Sequence, residues 1–259
     1  MTAPATFRFG LPASLGQEPA FALAREFADV LFDAQFTEVV PFKTYDALEH
    51  ALIAGTVDAA WGPPLICACV EAAGGMIALR GVRRKAVTYR SALVARRNDH
   101  FDLAMIAAGA SRPRAVWVDA WSTGGYLLAK THLREAGIDS TMLLGERMLG
   151  SYLACFEALL NRDADLTAAF VSDHGLAGMW DEEMGPFRVV ALTGESPNDG
   201  IAITPTLSPA RRTHLVSNLQ ALLANERSRH MLATAFSVDG FDYPPPGTYA
   251  PLMALRDHI

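Results

Sequence analysis

Cysteine is scarce in this chain, three among 259 residues, and the scarcity excludes a good deal. Cys67, Cys69 and Cys155 cannot all pair with one another. Cys67 and Cys69 stand two apart in a helix-like segment, where side chains point to different faces. Zinc-site spacings are missing too. The three read as small buried apolar residues, and the chain is expected to hold no metal and no cofactor. Positive charge is short as well: 22 Lys and Arg against 28 Asp and Glu leave a net charge of −6. Nucleic-acid binding calls for the opposite, a basic surface. No apolar run approaches the roughly 20 residues of a membrane-spanning helix, so no direct membrane insertion is expected.

Two further absences concern compartment and chemistry. The start, Met1-Thr2-Ala3-Pro4-Ala5-Thr6, runs straight into Phe7-Arg8-Phe9-Gly10 without the basic and apolar stretches of a secretory signal. As written the chain reads as cytoplasmic; it reads as periplasmic or lipid-anchored if Met1 replaces a cleaved signal. Catalytic signatures are missing: there is no Gly-x-Ser-x-Gly, no His-Glu-x-x-His, no dinucleotide fingerprint and no phosphate-loop Gly-Lys-Ser/Thr. The remaining histidines are scattered singly.

What is there is core material. Hydrophobic residues make up 51% and charged residues 19%, which excludes a disordered chain. Short β-rich runs alternate with helix-period segments, the pattern of an α/β protein with mostly parallel sheets flanked by helices. Strands are expected at Phe7–Gly10, Phe36–Phe42, Val57–Trp61, Met76–Leu79 and Val87–Ala95, with helices at Pro19–Phe32, Thr44–Ala54 and Leu65–Ala72. A second cycle follows, with strands at Arg114–Val118, Thr141–Leu144 and Asp165–Ser172 and helices at Thr123–Glu135 and Ser151–Asn161. Phe187–Thr193 and Gly200–Thr204 read as extended, Ser208–Ala224 and Glu226–Ala235 as helices, and Tyr243–Pro251 as a proline-rich tail. Arg83-Arg84-Lys85 and Asp181-Glu182-Glu183 read as solvated loops.

Two cycles imply two lobes, and in open α/β sheets function gathers at strand-to-helix turns. The most informative turn is Asp119-Ala120-Trp121-Ser122-Thr123-Gly124-Gly125-Tyr126. Backbone N–H groups at a helix start attract anions, and the helix dipole places roughly half a positive charge there. Ser122 and Thr123 add hydroxyls, while Gly124 and Gly125 allow close approach; simple N-capping is the plainer reading of the same residues. Gly150-Ser151-Tyr152 opens the next helix in the same way. Tyr45 and Trp61 sit at comparable turns of the first cycle, as pocket walls or as core. Strand alternation puts Tyr89 and Ser91 on one face and Arg90 on the other.

These residues resemble the phosphonate-type periplasmic binding proteins of ABC transporters, within the type 2 periplasmic-binding-protein fold. The resemblance runs from about Phe7 to Phe241. It rests on Thr44-Tyr45-Asp46, Asp58-Ala59-Ala60-Trp61-Gly62-Pro63, Thr88-Tyr89-Arg90-Ser91, Ala136-Gly137-Ile138-Asp139 and Gly150-Ser151 in family order. Above all it rests on Asp119–Leu127, similar to the family's Ser-Thr-Ser-Gly-Tyr-Leu turn. The resemblance implies two lobes, residues 1–94 with 198–259 and residues 95–197, closing like a hinge on a small anionic ligand that is phosphonate-like or organophosphate-like. It implies ligand contacts from Ser122, Thr123, Gly124, Gly125, Ser151, Tyr152, Tyr45, Tyr89 and Trp61, with Asp173 as partner for a substrate amine, and an ABC permease as partner if the chain is exported. Gly124 stands where the family often has a third hydroxyl, and Tyr152 replaces a family histidine. Two alternatives stay open. One is a cytosolic enzyme on the same fold, of dehydratase or lyase type, using Asp173, His174 and Tyr152. The other is a ligand sensor read by a partner.

Overall fold

A computed structural model describes residues 6–12, 35–172, 175–180 and 185–258. The expected helix Pro19–Phe32, together with Asp173, His174 and the acidic run 181–183, lies outside the described residues. The described chain divides into two compact units. Unit one holds residues 6–12, 35–88 and 197–253; unit two holds the described part of 89–196 and residues 254–258.

Unit one is built on β1 (Phe7–Pro12), β2 (Phe36–Phe42), β3 (Ala59–Gly62), β4 (Met76–Val82), β11 (Gly200–Ile203) and β12 (Gly240–Asp242), in the order β12-β4-β11-β3-β1-β2. β1 pairs in parallel with β2 and β3, whereas β11 runs antiparallel to β3 and β4, and β12 antiparallel to β4. The α/β class holds, but the sheet is mixed rather than mostly parallel. The reason is the returning segment, whose β11 inserts between β3 and β4 against their direction.

Period-2 alternation explains how this sheet is covered. Phe7, Phe9 and Leu11 turn one way and are wholly buried with Phe36, Ile201 and Ile203. They pack against Leu215, Leu219 and Leu222 of α6 (Pro209–Ala224) and Leu232 of α7 (Glu226–Ala235). Each such side chain contributes roughly 1.5–3 kcal/mol by leaving water. Gly10 turns the other way, where a Cβ would stand 2.8 Å from Leu48 of α1 (Tyr45–Ala54). α1 starts because the Thr44 hydroxyl accepts the Ala47 N–H at 3.2 Å. It stops at Gly55, whose φ of 72° suits a residue without Cβ. Pro63 and Pro64 open α2 (Pro64–Ala72), which buries Cys67 and Cys69.

The basic run at 83–85 is not a free loop. Arg84 and Lys85 have φ of 55° and 60° between the bridged residues Arg83 and Ala86, the demand of a tight two-residue hairpin turn. Arg83 donates to the Asp199 carboxylate at 3.0 Å and to the Ser237 carbonyl at 3.0 Å, so its charge staples β4 to the returning chain. In the proline-rich tail Tyr249 is fully buried, its hydroxyl donating to the Asn198 carbonyl at 2.7 Å.

Unit two contains β5 (Thr88–Arg96), which begins one residue inside unit one, with β8 (Thr167–Ser172), β9 (Gly175–Leu176) and β10 (Phe187–Pro197) in the order β10-β5-β8-β9. β5 with β8 and β8 with β9 are antiparallel. Beside them β6 (Arg114–Trp117) pairs in parallel with β7 (Gly145–Met148), and its Ala115 makes a parallel bridge to Leu166, the residue before β8. Successive residues of β6 serve two cores: Trp117 faces Leu133, Ile138 and Leu166, and Val116 faces Tyr152, Phe156 and Phe187. The strand expected at Thr141–Leu144 is instead a 3₁₀ turn at Ser140–Met142, followed by β7. Asp139 causes this, accepting both the backbone N–H of Thr141 at 2.7 Å and its hydroxyl at 2.5 Å. A short helix, α3 (Leu103–Ala107), capped by Asp102, has no counterpart in the expected elements.

Candidate functional site

Parallel strands β6 and β7 end side by side, and each feeds a helix. After β6 the chain turns at Asp119, whose carboxylate accepts the Trp121 N–H at 2.8 Å and whose carbonyl accepts the Ser122 N–H at 3.0 Å. The Ser122 hydroxyl oxygen accepts the Gly125 N–H at 3.1 Å, which makes Ser122 the N-cap. The first turn, Thr123–Leu127, is π-helical, with the Leu127 N–H on the Ser122 carbonyl at 3.0 Å, and it runs on into α4 (Leu128–Glu135). Such wide turns are rare and cluster at functional sites. Ser122, Thr123, Gly124 and Gly125 are all buried. In accepting the amide, Ser122 Oγ keeps its own proton free to donate elsewhere.

The second turn is tied to the first. The Leu149 N–H donates to the Trp117 carbonyl at 2.8 Å and the Gly150 N–H to the Val118 carbonyl at 2.7 Å. Gly150 has φ 85°, which redirects the chain into α5 (Tyr152–Leu160). Ser151 caps α5, accepting the Ala154 N–H at 3.2 Å. Two helix starts, each worth roughly half a positive charge, therefore open from adjoining strand ends.

A third element closes the group. On β5, Ser91 is fully buried, with its hydroxyl 2.5 Å from the Gly124 carbonyl and 3.0 Å from that of Ala169. Tyr89, two residues earlier on the same face, reaches the same glycine, as does the Tyr152 hydroxyl. Of the residues expected at the site, unit two thus brings together Ser122, Thr123, Gly124, Gly125, Ser151, Tyr152 and Tyr89. Tyr45 and Trp61 belong to unit one. Tyr45 is the buried first residue of α1, and Trp61 stacks on Phe236 at 4.0 Å within that unit's core. Asp173 and His174 lie outside the described residues.

The sequence put Ser91 on the face of Tyr89 without giving it a role, and gave no sign of Arg256. Ser91 holds the turn, and only its place as a lone hydroxyl in the apolar second half of β5 hinted at it. Arg256, from the terminal 3₁₀ segment Ala250–His258, lies over the Trp121 ring at 5.4 Å and brings positive charge beside the first turn. Arg8 and Arg90 have partners elsewhere, Glu38 at 2.8 Å and Glu195 at 3.7 Å.

Two of the three thiols are held in the protonated, weakly nucleophilic form. Burial pushes Cys155 up to about 12 and Cys67 well above its ordinary value, so both stay protonated. Among the described residues no group of three His, Cys, Asp or Glu is placed to hold a metal, and no helix is long and apolar enough to cross a membrane. A cavity of about 310 Å³ in unit one is lined by Ala68, Met76, Ile77, Pro244 and Pro246, with Glu71 its one charged wall. That carboxylate already accepts the Gly247 and Tyr249 N–H groups at 3.1 Å each. The two adjoining helix starts are in unit two.

Residues 21–246 match the family model described as "ABC transporter, phosphonate, periplasmic substrate-binding protein". No curated protein matches the chain in sequence. Among solved structures, a binding protein component of an ABC phosphonate transporter from Pseudomonas aeruginosa superposes with a TM-score of 0.80 at 18% identity, covering 97% of this chain and 85% of that one. A Prochlorococcus marinus protein in complex with methylphosphonate gives 0.80 at 14% identity, covering 99% and 100%. A Xanthomonas citri protein bound to ATP gives 0.73 at 19%, covering 98% and 99%.

Proposed function

The chain belongs to the phosphonate periplasmic substrate-binding protein family of ABC transporters, and from that premise we propose that its paired turns in unit two hold the oxyanion head of a small phosphonate-like or organophosphate-like solute. The observation that carries this reading is the tie between the two turns. Gly150 donates to Val118, so the Ser122–Gly125 and Ser151–Tyr152 helix starts are fixed beside one another. An oxyanion there meets backbone N–H groups, two hydroxyls and two helix dipoles, and hydrogen bonds to a charged group are the strong ones. Structures of this fold carry methylphosphonate in one case and ATP in another. Both ligands present a phosphorus oxyanion, the chemistry these donors would take.

The same proposal takes residues 1–94 with 198–259 as one lobe and 95–197 as the other, closing on the ligand. It takes the chain to be exported, with an ABC permease as receiver of the loaded protein.

Calorimetric titration of the full chain with methylphosphonate, a phosphate monoester, methanesulfonate and acetate tests it. A phosphorus oxyanion is expected to bind, and Ser122→Ala combined with Thr123→Val is expected to weaken it about a hundredfold, two charged hydrogen bonds' worth. Affinity unchanged in the double variant would remove the site from these turns.

A further inference from the structure

Ser91 is bound through its backbone and its side chain at once. It lies on β5 between β10 and β8, opposite Phe170 of β8. Toward β10 its partner is a side chain: the Thr193 hydroxyl accepts the Ser91 N–H at 3.0 Å and stands 3.0 Å from the Ser91 carbonyl. The Ser91 hydroxyl in turn reaches the Gly124 carbonyl at 2.5 Å. Ser91 is wholly buried and Thr193 is 2% exposed, so neither hydroxyl is in reach of bulk water.

The carbonyl that Ser91 touches is the one at which the turn leaves α-helical geometry. In an α-helix the Gly124 carbonyl would accept the Leu128 N–H, four residues on. Here the Leu128 N–H goes to the Thr123 carbonyl and the Leu127 N–H to that of Ser122, which makes the turn π-helical. A side chain inserted into the i→i−4 ladder is a known cause of such departures, and the Ser91 hydroxyl supplies a donor at that carbonyl.

We propose that Ser91 and Thr193 are positioning residues for the anion site. Ser91 stabilises the wide turn through the Gly124 carbonyl, and Thr193 sets Ser91 by holding its backbone. The inference rests on the oxyanion site proposed above and adds two buried residues that act on it at one remove. Widening the turn reorients the peptide units from 123 to 127, and with them the Thr123 and Gly124 N–H groups that would meet an oxyanion.

The test is a double-mutant cycle on the full chain, Ser91→Ala with Thr193→Val, titrated calorimetrically with methylphosphonate and followed by thermal melting. Each single variant is expected to bind about tenfold more weakly, the scale of one buried hydrogen bond left unmade. Because Thr193 acts through Ser91, the double variant is expected to bind no more weakly than Ser91→Ala alone, although it melts lower. Thr193→Ser keeps the hydroxyl and should restore wild-type affinity. Asp165→Asn, beside the first residue of β6, is the control for lost stability without lost affinity. Wild-type affinity in both single variants, with lowered melting temperatures, would reduce the pair to structural residues and overturn the proposal. Penalties that multiply in the double variant would overturn it too. If neither variant folds, the ¹⁵N–¹H titration of the wild type decides: the Ser91 amide should shift together with those of Thr123 and Gly124, and a silent Ser91 amide overturns it. Loss of binding on Ser122→Ala with none on Ser91→Ala would sink the positioning roles and leave the site standing. Failure of the wild-type chain to take methylphosphonate or a phosphate monoester would sink both.

Discussion

Replacing Gly125 with alanine is expected to abolish methylphosphonate binding and to cost about 1–3 kcal/mol of stability, the range for overpacking a filled site. The cause is space, since a Cβ there would stand 2.5 Å from Val118 Cγ2 and 2.8 Å from the Ser122 hydroxyl that caps the helix. Val118 is 1% exposed, and Gly150 holds its carbonyl, so the strand end does not yield. The turn must move instead, carrying the cap and both glycine amides with it. Gly145→Ala is the matched control: nothing lies within 4 Å of its added carbon, and its φ is not left-handed. Denaturant titration and calorimetry on the two variants separate them. Gly125→Ala with wild-type affinity would mean that the turn does not hold the ligand.

The second large effect is one of stability alone. Asp165 accepts from Arg114 Nε at 2.9 Å and from Arg96 Nη2 at 2.7 Å, joining the end of β5, the start of β6 and the approach to β8. Burial pushes its carboxyl up, but the hydrogen bonds from Arg114 and Arg96 outweigh burial and hold it well below the usual carboxylate range. Asp165→Asn is expected to cost about 2 kcal/mol, two charged hydrogen bonds discounted for partial exposure. The sign follows from linkage. A carboxyl depressed in the folded state stabilises fully above its unfolded value, near 3.9, and loses that contribution as the pH falls through its folded value. The stability gap between wild type and Asp165→Asn should therefore be constant from neutral pH to about 5 and narrow below about 4. Asp165 lies at the opposite end of β6 from the Ser122–Gly125 turn, so if that turn holds the anion, methylphosphonate affinity at pH 7 should not change. A gap that widens in acid would contradict the ion-pair assignment.

How much of this was legible from residues alone depends on whether the cause was local. The turn from Asp119 to Gly125 was readable, because a short apolar strand, a capping serine and two glycines all lie within a dozen residues. So was Thr44 as the cap of α1. Ser91 was not, since its partner Gly124 lies 33 residues on, and nothing in Thr88–Arg96 announces that meeting. Strand direction was equally hidden. Gly200–Ile203 reads as a short apolar strand either way, and only its neighbours β3 and β4 make it antiparallel. β7 misled for another reason: Gly-Glu-Arg-Met pairs with β6 alone and keeps polar residues, so it lacks the alternation of a half-buried strand, while Thr141–Leu144 has the composition without the conformation. For Tyr45 and Trp61 the residues left pocket wall and core both open; in unit one Tyr45 is buried at the head of α1 and Trp61 packs on Phe236 in the core. The family, by contrast, was carried by the order of many weak motifs, and the match over residues 21–246 shows it.

The measurement that bears most directly on the paired-turn site is the ¹⁵N–¹H spectrum of the full chain titrated with methylphosphonate. If the two helix starts hold the oxyanion, the amides of Thr123, Gly124, Gly125, Ser151 and Tyr152 should shift first and saturate together with a single dissociation constant. Shifts confined to the unit-one cavity, at Gly75 and Gly247, or no saturable shift at all, would contradict it.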